Sequence, residues 1–232
     1  MIKNKNFLIT GHTSGLGKSL NRILIENKNK IIGISRSQSK ISNFIDIKAD
    51  FTNIKLLKRK LHRLKKIKKI DFIVLNAGLL GDLKIFSKVD IKKFEKILLV
   101  NFLSNKIIID YFLSKKIKIK NVISISSGAA LKPKYAWGSY CISKAATKMM
   151  IETYAEENKK INFINLSPGL IKTKMQKKIF NTKKNYSSLK KFKKLYKKNL
   201  IDTPDIVAIK VIKFFSEINK YKDESYIDLR NG

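Results

Sequence analysis

A single cysteine, Cys141, in 232 residues leaves no partner for an internal disulfide. The fold must rest on its apolar core, and the chain fits a reducing compartment. No apolar run reaches the ~20 residues that a membrane-spanning helix needs. The first ten residues enter an apolar segment directly, without the pattern of a secretory signal, so the expected location is the cytoplasm. No Pro/Ser-rich hinge, linker or internal repeat divides the sequence. With 44% apolar residues, one domain over 1–232 with a substantial core is expected.

Acid is scarce too: 17 Asp and Glu face 51 Lys and Arg, a formal net charge of +34. Such a surplus raises nucleic acid or an anionic membrane as partners. Yet only five of the basic residues are arginine (Arg22, Arg36, Arg59, Arg63 and Arg230), the side chain that bidentate phosphate recognition favours. The lysines are spread among abundant Ile and Asn, the residues that A/T-rich codons encode. Compositional drift accounts for all three, so neither nucleic acid nor membrane is the expected partner. The dense run Lys172–Lys198 is where polyanion binding stays open.

What is present is a regular alternation. Short apolar segments at 7–10, 31–35, 44–48, 70–75, 121–125, 161–166 and 226–229 read as strands. Helical patterns lie between them: after Gly15, over about 52–66, over about 90–116 with a break near Asn101, and from Tyr140 to about 158. Lys-rich helical sequence fills 173–199, and Thr203-Pro204 caps a last helix to about 218. Continuous apolar strands separated by helices predict an α/β fold, a doubly wound parallel sheet of about seven strands covered on both faces. Polar and glycine residues gather at the strands' carboxyl ends, the rim where such sheets bind ligands.

Three stretches on that rim carry chemistry. Thr10-Gly11-His12-Thr13-Ser14-Gly15-Leu16-Gly17 joins the first strand to the first helix, and its glycines allow a tight bend and close approach of a pyrophosphate to backbone N–H groups. Tyr140 and Lys144, four residues apart, share a helix face. A phenol titrates near ~10, and a neighbouring ammonium favours its ionised form, so the pair can serve as a general acid/base. In a chain this rich in lysine the spacing alone is also what chance supplies. The second strand ends at Ser35-Arg36-Ser37 with no acid. A basic residue there attracts a ribose 2′-phosphate where an acid would repel it, which predicts NADP(H) rather than NAD(H).

Taken together with Asn76-Ala77-Gly78, Asn101, Ser127 and Pro168-Gly169 followed by Thr173, these motifs stand in an order that resembles the short-chain dehydrogenase/reductase family, in its single-domain Rossmann-like form. The resemblance runs from Phe7 to about Leu229. It implies Tyr140 as the catalytic acid/base and Lys144 as the residue that lowers its pKa and holds the nicotinamide ribose. Ser127, with Ser126 as the less favoured neighbour, would bind the substrate oxygen, and Asn101 would hold a water in a proton relay. For the cofactor it implies Gly11, Thr13, Ser14, Gly15, Leu16 and Gly17 at the pyrophosphate, and Asp50 with Phe51 at the adenine. Asn76, Ala77 and Gly78 would lie under the ribose, and Pro168, Gly169, Ile171 and Thr173 at the carboxamide and diphosphate. No metal ligand set is implied.

The expected activity is hydride transfer between NADP(H) and a small-molecule carbonyl or alcohol. An anionic substrate is the alternative, such as a nucleotide sugar or carrier-bound acyl group, met by Lys172, Lys174, Lys177 and Lys178; a non-catalytic nucleotide-sensing or nucleic-acid-binding protein is the reading from another class. Leu75 replaces an asparagine usual before Asn-Ala-Gly, and the C-terminus from Asp223 to Arg230 departs from the family's ending. Specificity is expected to reside in the loops at about 79–89 and 128–139 and in an insert at about 173–200. The apolar excess at Ile107, Ile108, Ile109, Tyr111, Phe112 and Leu113 suggests a paired-helix contact in a homodimer or homotetramer.

Overall fold

The protein, seen in a computed structural model, is described at residues 2–39, 45–182, 186–197, 201–221 and 224–230. Phe44, the expected start of the third strand, lies outside the described residues, as do parts of the Lys172–Lys198 run and Asp223. Seven parallel strands form one sheet: β1 (Asn6–Thr10), β2 (Lys30–Ser35), β3 (Ile45–Lys48), β4 (Lys69–Leu75), β5 (Lys118–Ile125), β6 (Asn162–Ser167) and β7 (Tyr226–Asp228). Their order is β3-β2-β1-β4-β5-β6-β7. The direction of winding reverses between β1 and β4, which places a ligand crevice at the carboxyl ends of those two strands.

Alternation along β1 shows how both sheet faces are buried. Phe7 and Ile9 enter one core with Leu20 and Leu24 of α1 (Gly15–Glu26) and Val207 and Val211 of α8 (Pro204–Ser216). Leu8 points the other way, into a core with Leu57 and Leu61 of α2 (Ile54–Leu61). That core also takes in Phe112 of α4 (Ser104–Ser114) and Ile151 of α5 (Gly138–Glu157). The expected apolar excess in α4 is consumed here: Ile108, Ile109 and Phe112 are fully buried, Tyr111 nearly so, and Ile107 and Leu113 pack against them. It therefore gives no argument for a partner helix. A third apolar cluster lies over the carboxyl ends of the strands and joins α5 to α6 (Lys174–Phe180) and α7 (Ser187–Lys197).

Side-chain caps set several helix starts. Asn53, Asp90 and Thr203 each accept a hydrogen bond from the backbone N–H three residues on, and Pro204 opens α8 as its sequence pattern predicts. The expected break near Asn101 is a π-helical turn, Leu99–Leu103, that joins α3 (Ile91–Leu98) to α4 without interrupting the helix. Among the described residues, this joined helix is the one long and apolar enough to cross a membrane, but half of its apolar stretch is buried in the fold.

Candidate active site

The glycine-rich turn is fastened to its neighbour before any ligand is considered. Thr10 is fully buried, and its Oγ1 accepts from the backbone N–H groups of both Asn76 and Ala77, each at 2.9 Å. The Asn76 amide returns a bond to Thr10 O at 2.9 Å. Gly11 has φ +69°, and a Cβ there would lie 3.1 Å from Ala77 Cα. A Cβ on Gly17 would meet Gly11 O at 2.3 Å, so α1 can approach the turn this closely only through glycine. No acidic residue occupies the first turn of α1, which leaves its N-terminal N–H groups compatible with an anion. Gly15 also faces the loop after β6, where a Cβ would touch Thr173 Cγ2 at 3.2 Å. Thr173 caps α6, and Gly169 there has φ +82°.

At the far end of the crevice a cavity of about 370 Å³ is lined by Arg36, Lys48, Ala49, Asp50, Leu56 and Lys60. Arg36 and Asp50 were expected there. Lys48 and Lys60 were not, because one lies at the end of β3 and the other on α2, and only tertiary structure brings both beside Arg36. Asp50 accepts from the N–H and hydroxyl of Thr52, and that N–H leads in holding its carboxyl below the usual range. The side chains of Phe51, Leu16 and Ile171 are buried in the two sheet cores, which leaves backbone atoms as their means of touching a ligand.

The proton-handling candidates converge between these regions. The half-buried phenol of Tyr140 shares a hydrogen bond with Ser127, whose Oγ also accepts from Ala129 N–H at 3.2 Å. Ser126 is buried beside Tyr226, so of the two serines it is Ser127 that meets Tyr140. Lys144 is 6% exposed, donates to Ile125 O at 2.7 Å, and lies 5.9 Å from the centre of the Tyr140 ring. Burial pulls Lys144 down to about 8 and pushes Tyr140 up to about 12, the Ser127 bond opposing the latter. Desolvation is the leading cause of both shifts, and Lys144 is buried beside the phenol it accompanies.

Asn101 lies in the π turn, fully buried. Its Oδ1 accepts from Leu79 N–H at 2.7 Å, while its Nδ2 donates to Leu79 O at 2.8 Å and to Ser143 Oγ at 2.9 Å. Its carbonyl accepts from Asn105 and Thr147. The π turn aims the amide at the loop after β4, where it acts as a clamp between that loop and α5. It still borders the site, since a Cβ on Gly78 would lie 3.6 Å from Asn101 Oδ1 and 3.9 Å from Lys144 Nζ. Ser143 is a member that sequence reasoning missed; its place three residues after Tyr140, on the same helix face, was the available signal.

The substrate side is apolar. Leu80, Leu83, Trp137 and Ile179 are buried around Tyr140, with Met175 and Phe180 partly buried beside them. Lys172, Lys174, Lys177 and Lys178 are exposed, and Lys178 is spent on Gly81 O. Arg230 crosses from Gly169 to Gly128 and pairs with Asp228.

Comparison with known proteins places the chain in a family. Residues 5–184 match the short chain dehydrogenase family. An uncharacterized oxidoreductase of Schizosaccharomyces pombe is 32% identical over 187 residues, 76% of this chain and 75% of that one. A benzil reductase ((S)-benzoin forming) of Bacillus cereus is 29% identical over 223 residues, 87% and 90% of the two chains. The crystal structure of a short-chain dehydrogenase/reductase from Saccharomyces cerevisiae superposes with a TM-score of 0.86 at 26% identity, covering 97% and 96%. With that family match over most of its length, the chain belongs to the short-chain dehydrogenases, the NAD(P)-dependent oxidoreductases.

Proposed function

We propose that this protein is an NADPH-dependent reductase of apolar, aromatic carbonyl compounds, with Tyr140, Ser127 and Lys144 at the reacting oxygen. The observation that carries the reading is the Ser127–Tyr140 hydrogen bond with the buried Lys144 behind it, set in an apolar cluster. The residues present fit a nicotinamide dinucleotide: glycines that a Cβ would crowd at the turn, an acid-free helix start, and three cations with one carboxylate at the far cavity. Gly11, Thr13, Ser14, Gly15 and Gly17 would hold its pyrophosphate, Asp50 its adenine, and Asn76, Ala77 and Gly78 its ribose. Pro168, Gly169 and Thr173 would meet the nicotinamide end. Arg36, with Lys48 and Lys60, favours the 2′-phosphate of NADPH over the bare hydroxyl of NADH.

When bound, the nicotinamide supplies the hydride. The chain's own part is to place and protonate the oxygen. Ser127 donates a hydrogen bond to the substrate carbonyl and fixes its distance from Tyr140. A phenol near 12 stays protonated at neutral pH, so Tyr140 is poised to give its proton to the oxygen as negative charge develops there. Lys144, near 8, exchanges protons readily at neutral pH and can restore the phenol. Asn101 positions Lys144's surroundings through Leu79 and Ser143 rather than by contact with substrate.

Benzil is the probe that the Bacillus cereus relative suggests, and the walls formed by Trp137, Leu80, Leu83 and Met175 suit its two rings. NADPH oxidation with benzil should be measurable by absorbance, and Tyr140→Phe should lower kcat by at least about 100-fold while leaving the fold intact. Unchanged turnover in that variant would overturn the assignment. For self-association, the apolar residues left exposed near the π turn and on α5, namely Leu103, Ile142 and Met149, form the face that would pair two copies.

A further inference from the structure

One buried polar group is used by none of these roles. His12, inside the glycine-rich turn, is fully buried. Its ring packs on Gly33 of β2, so closely that a Cβ at 33 would come within 2.5 Å of Cε1 and Nε2. Gly33 is therefore the space that β2 leaves for an imidazole. Nε2 of His12 stands 3.3 Å from Oδ1 of Asp46 on β3, and the ring also bonds to the backbone of Ile34. The other carboxylate oxygen of Asp46 accepts from the backbone N–H of Ser39. The turn that leaves β2 is thus tied at both ends. At its start, the Ser35 hydroxyl lies 3.2 Å from that of Thr13 and donates to Ser37 O; at its end, Ser39 is tied through Asp46 to His12. Arg36 sits between the two ties, exposed and facing the cavity.

We propose that His12 and Asp46 are positioning residues for cofactor choice, holding the Ser35–Ser39 turn so that Arg36 faces the 2′-phosphate. This rests on the reading that Arg36 recognises that phosphate. An exposed arginine on an untied turn gives up side-chain and backbone freedom on binding, and a turn fixed in advance has already given up much of it. The buried histidine is what fixes the carboxylate in turn: its ring fills the space over Gly33, and the side chain of Asp46 is only 13% exposed. Cofactor preference is therefore set partly from beneath the sheet rim, by residues that never touch the ligand.

The test is the Kd for NADPH and for NADH, each measured by calorimetric titration on the full chain, with thermal unfolding as a check on the fold. Asp46→Ala should weaken NADPH about tenfold and leave NADH within about twofold. Asp46→Asn, which keeps an oxygen acceptor for Ser39, should recover most of the loss. Ser39→Pro removes the N–H donor, fixing φ at a surface turn as well, and should give the same loss for NADPH if Asp46→Ala fails to fold. Arg36→Ala is the control. If it lowers NADPH affinity while the Asp46 and Ser39 variants do not, the positioning role is wrong and the phosphate reading stands. Equal weakening of both cofactors in Asp46→Ala means a merely structural role and also overturns the proposal. If Arg36→Ala changes neither Kd, the phosphate reading fails and the positioning role falls with it.

Discussion

Lys144 is an expensive residue to bury, and its cost has a definite pH signature. In the unfolded chain it titrates at its ordinary 10.5, in the folded chain at about 8. Below pH 8 both states carry the proton and the full cost of burial is felt. Between about 8 and 10.5 the native state sheds the proton that the unfolded state keeps, so stability from this group rises with pH. Replacing it with Lys144→Met should therefore stabilise the protein at pH 7, by up to roughly 3 kcal/mol less the lost bond to Ile125 O, and the advantage should fade as pH approaches 10.5. Denaturant titrations at pH 7 and pH 10 check this; an equal effect at both would refute it. The same variant should be inactive in reduction. The Tyr140–Lys144 spacing was legible in the sequence, but the direction of the phenol's shift was not, because desolvation belongs to the packed site. The preference for Ser127 over Ser126 was legible and agrees with the geometry; its physical cause, the burial of Ser126 beside Tyr226, could not be read from a dipeptide.

Elements were easier to read than the contacts between them. Apolar runs of strand length, punctuated by glycine, are strong signals, and all seven strands occur where they were expected, with β3 described from Ile45 onward. The helical pattern at 90–116 showed its irregularity at Asn101 but not its kind. A π turn adds one residue to a turn of helix, and the sequence signal is only a polar side chain on an apolar face. Its purpose is visible in three dimensions: Asn101 supplies both an acceptor and a donor to the backbone of Leu79. Asn101→Ala would orphan both Leu79 groups and the Ser143 hydroxyl contact, at a cost of about 2–4 kcal/mol. Unfolding midpoints in urea would register that loss, and a change under about 0.5 kcal/mol would show that the clamp contributes little. The His12–Asp46 tie was illegible for a related reason. The two residues are 34 positions apart and meet only because β2 and β3 follow β1 outward in the sheet.

For the whole molecule the charge of +34 finds no organised site among the described residues of the substrate pocket; Lys172, Lys174 and Lys177 face solvent, and Lys178 bonds a backbone carbonyl. Three cations do converge at the cavity lined by Arg36, Lys48 and Lys60. Assembly is a separate matter. The apolar residues of α4 that suggested a partner helix are core, whereas Ile142 and Met149 of α5 are among the apolar side chains left exposed, Met149 at 63%. If copies pair across that face, Met149→Glu should place two carboxylates at the symmetry axis and lower the mass seen by light scattering to that of one chain. A monomeric mass for the unaltered protein would remove the proposed face instead.

The single oxygen of Thr10 that receives the N–H groups of Asn76 and Ala77 has a mechanical consequence. It fastens the glycine-rich turn and the loop after β4 to each other, as one jaw at the centre of the sheet. The facing side is α6 and α7, whose apolar side chains pack in the third cluster together with Leu80 and Leu83 of that loop and Trp137 and Cys141 of α5. Any opening of the crevice would therefore have to part α6 and α7 from Leu80 and Leu83, while the glycine-rich turn stays fastened to the sheet.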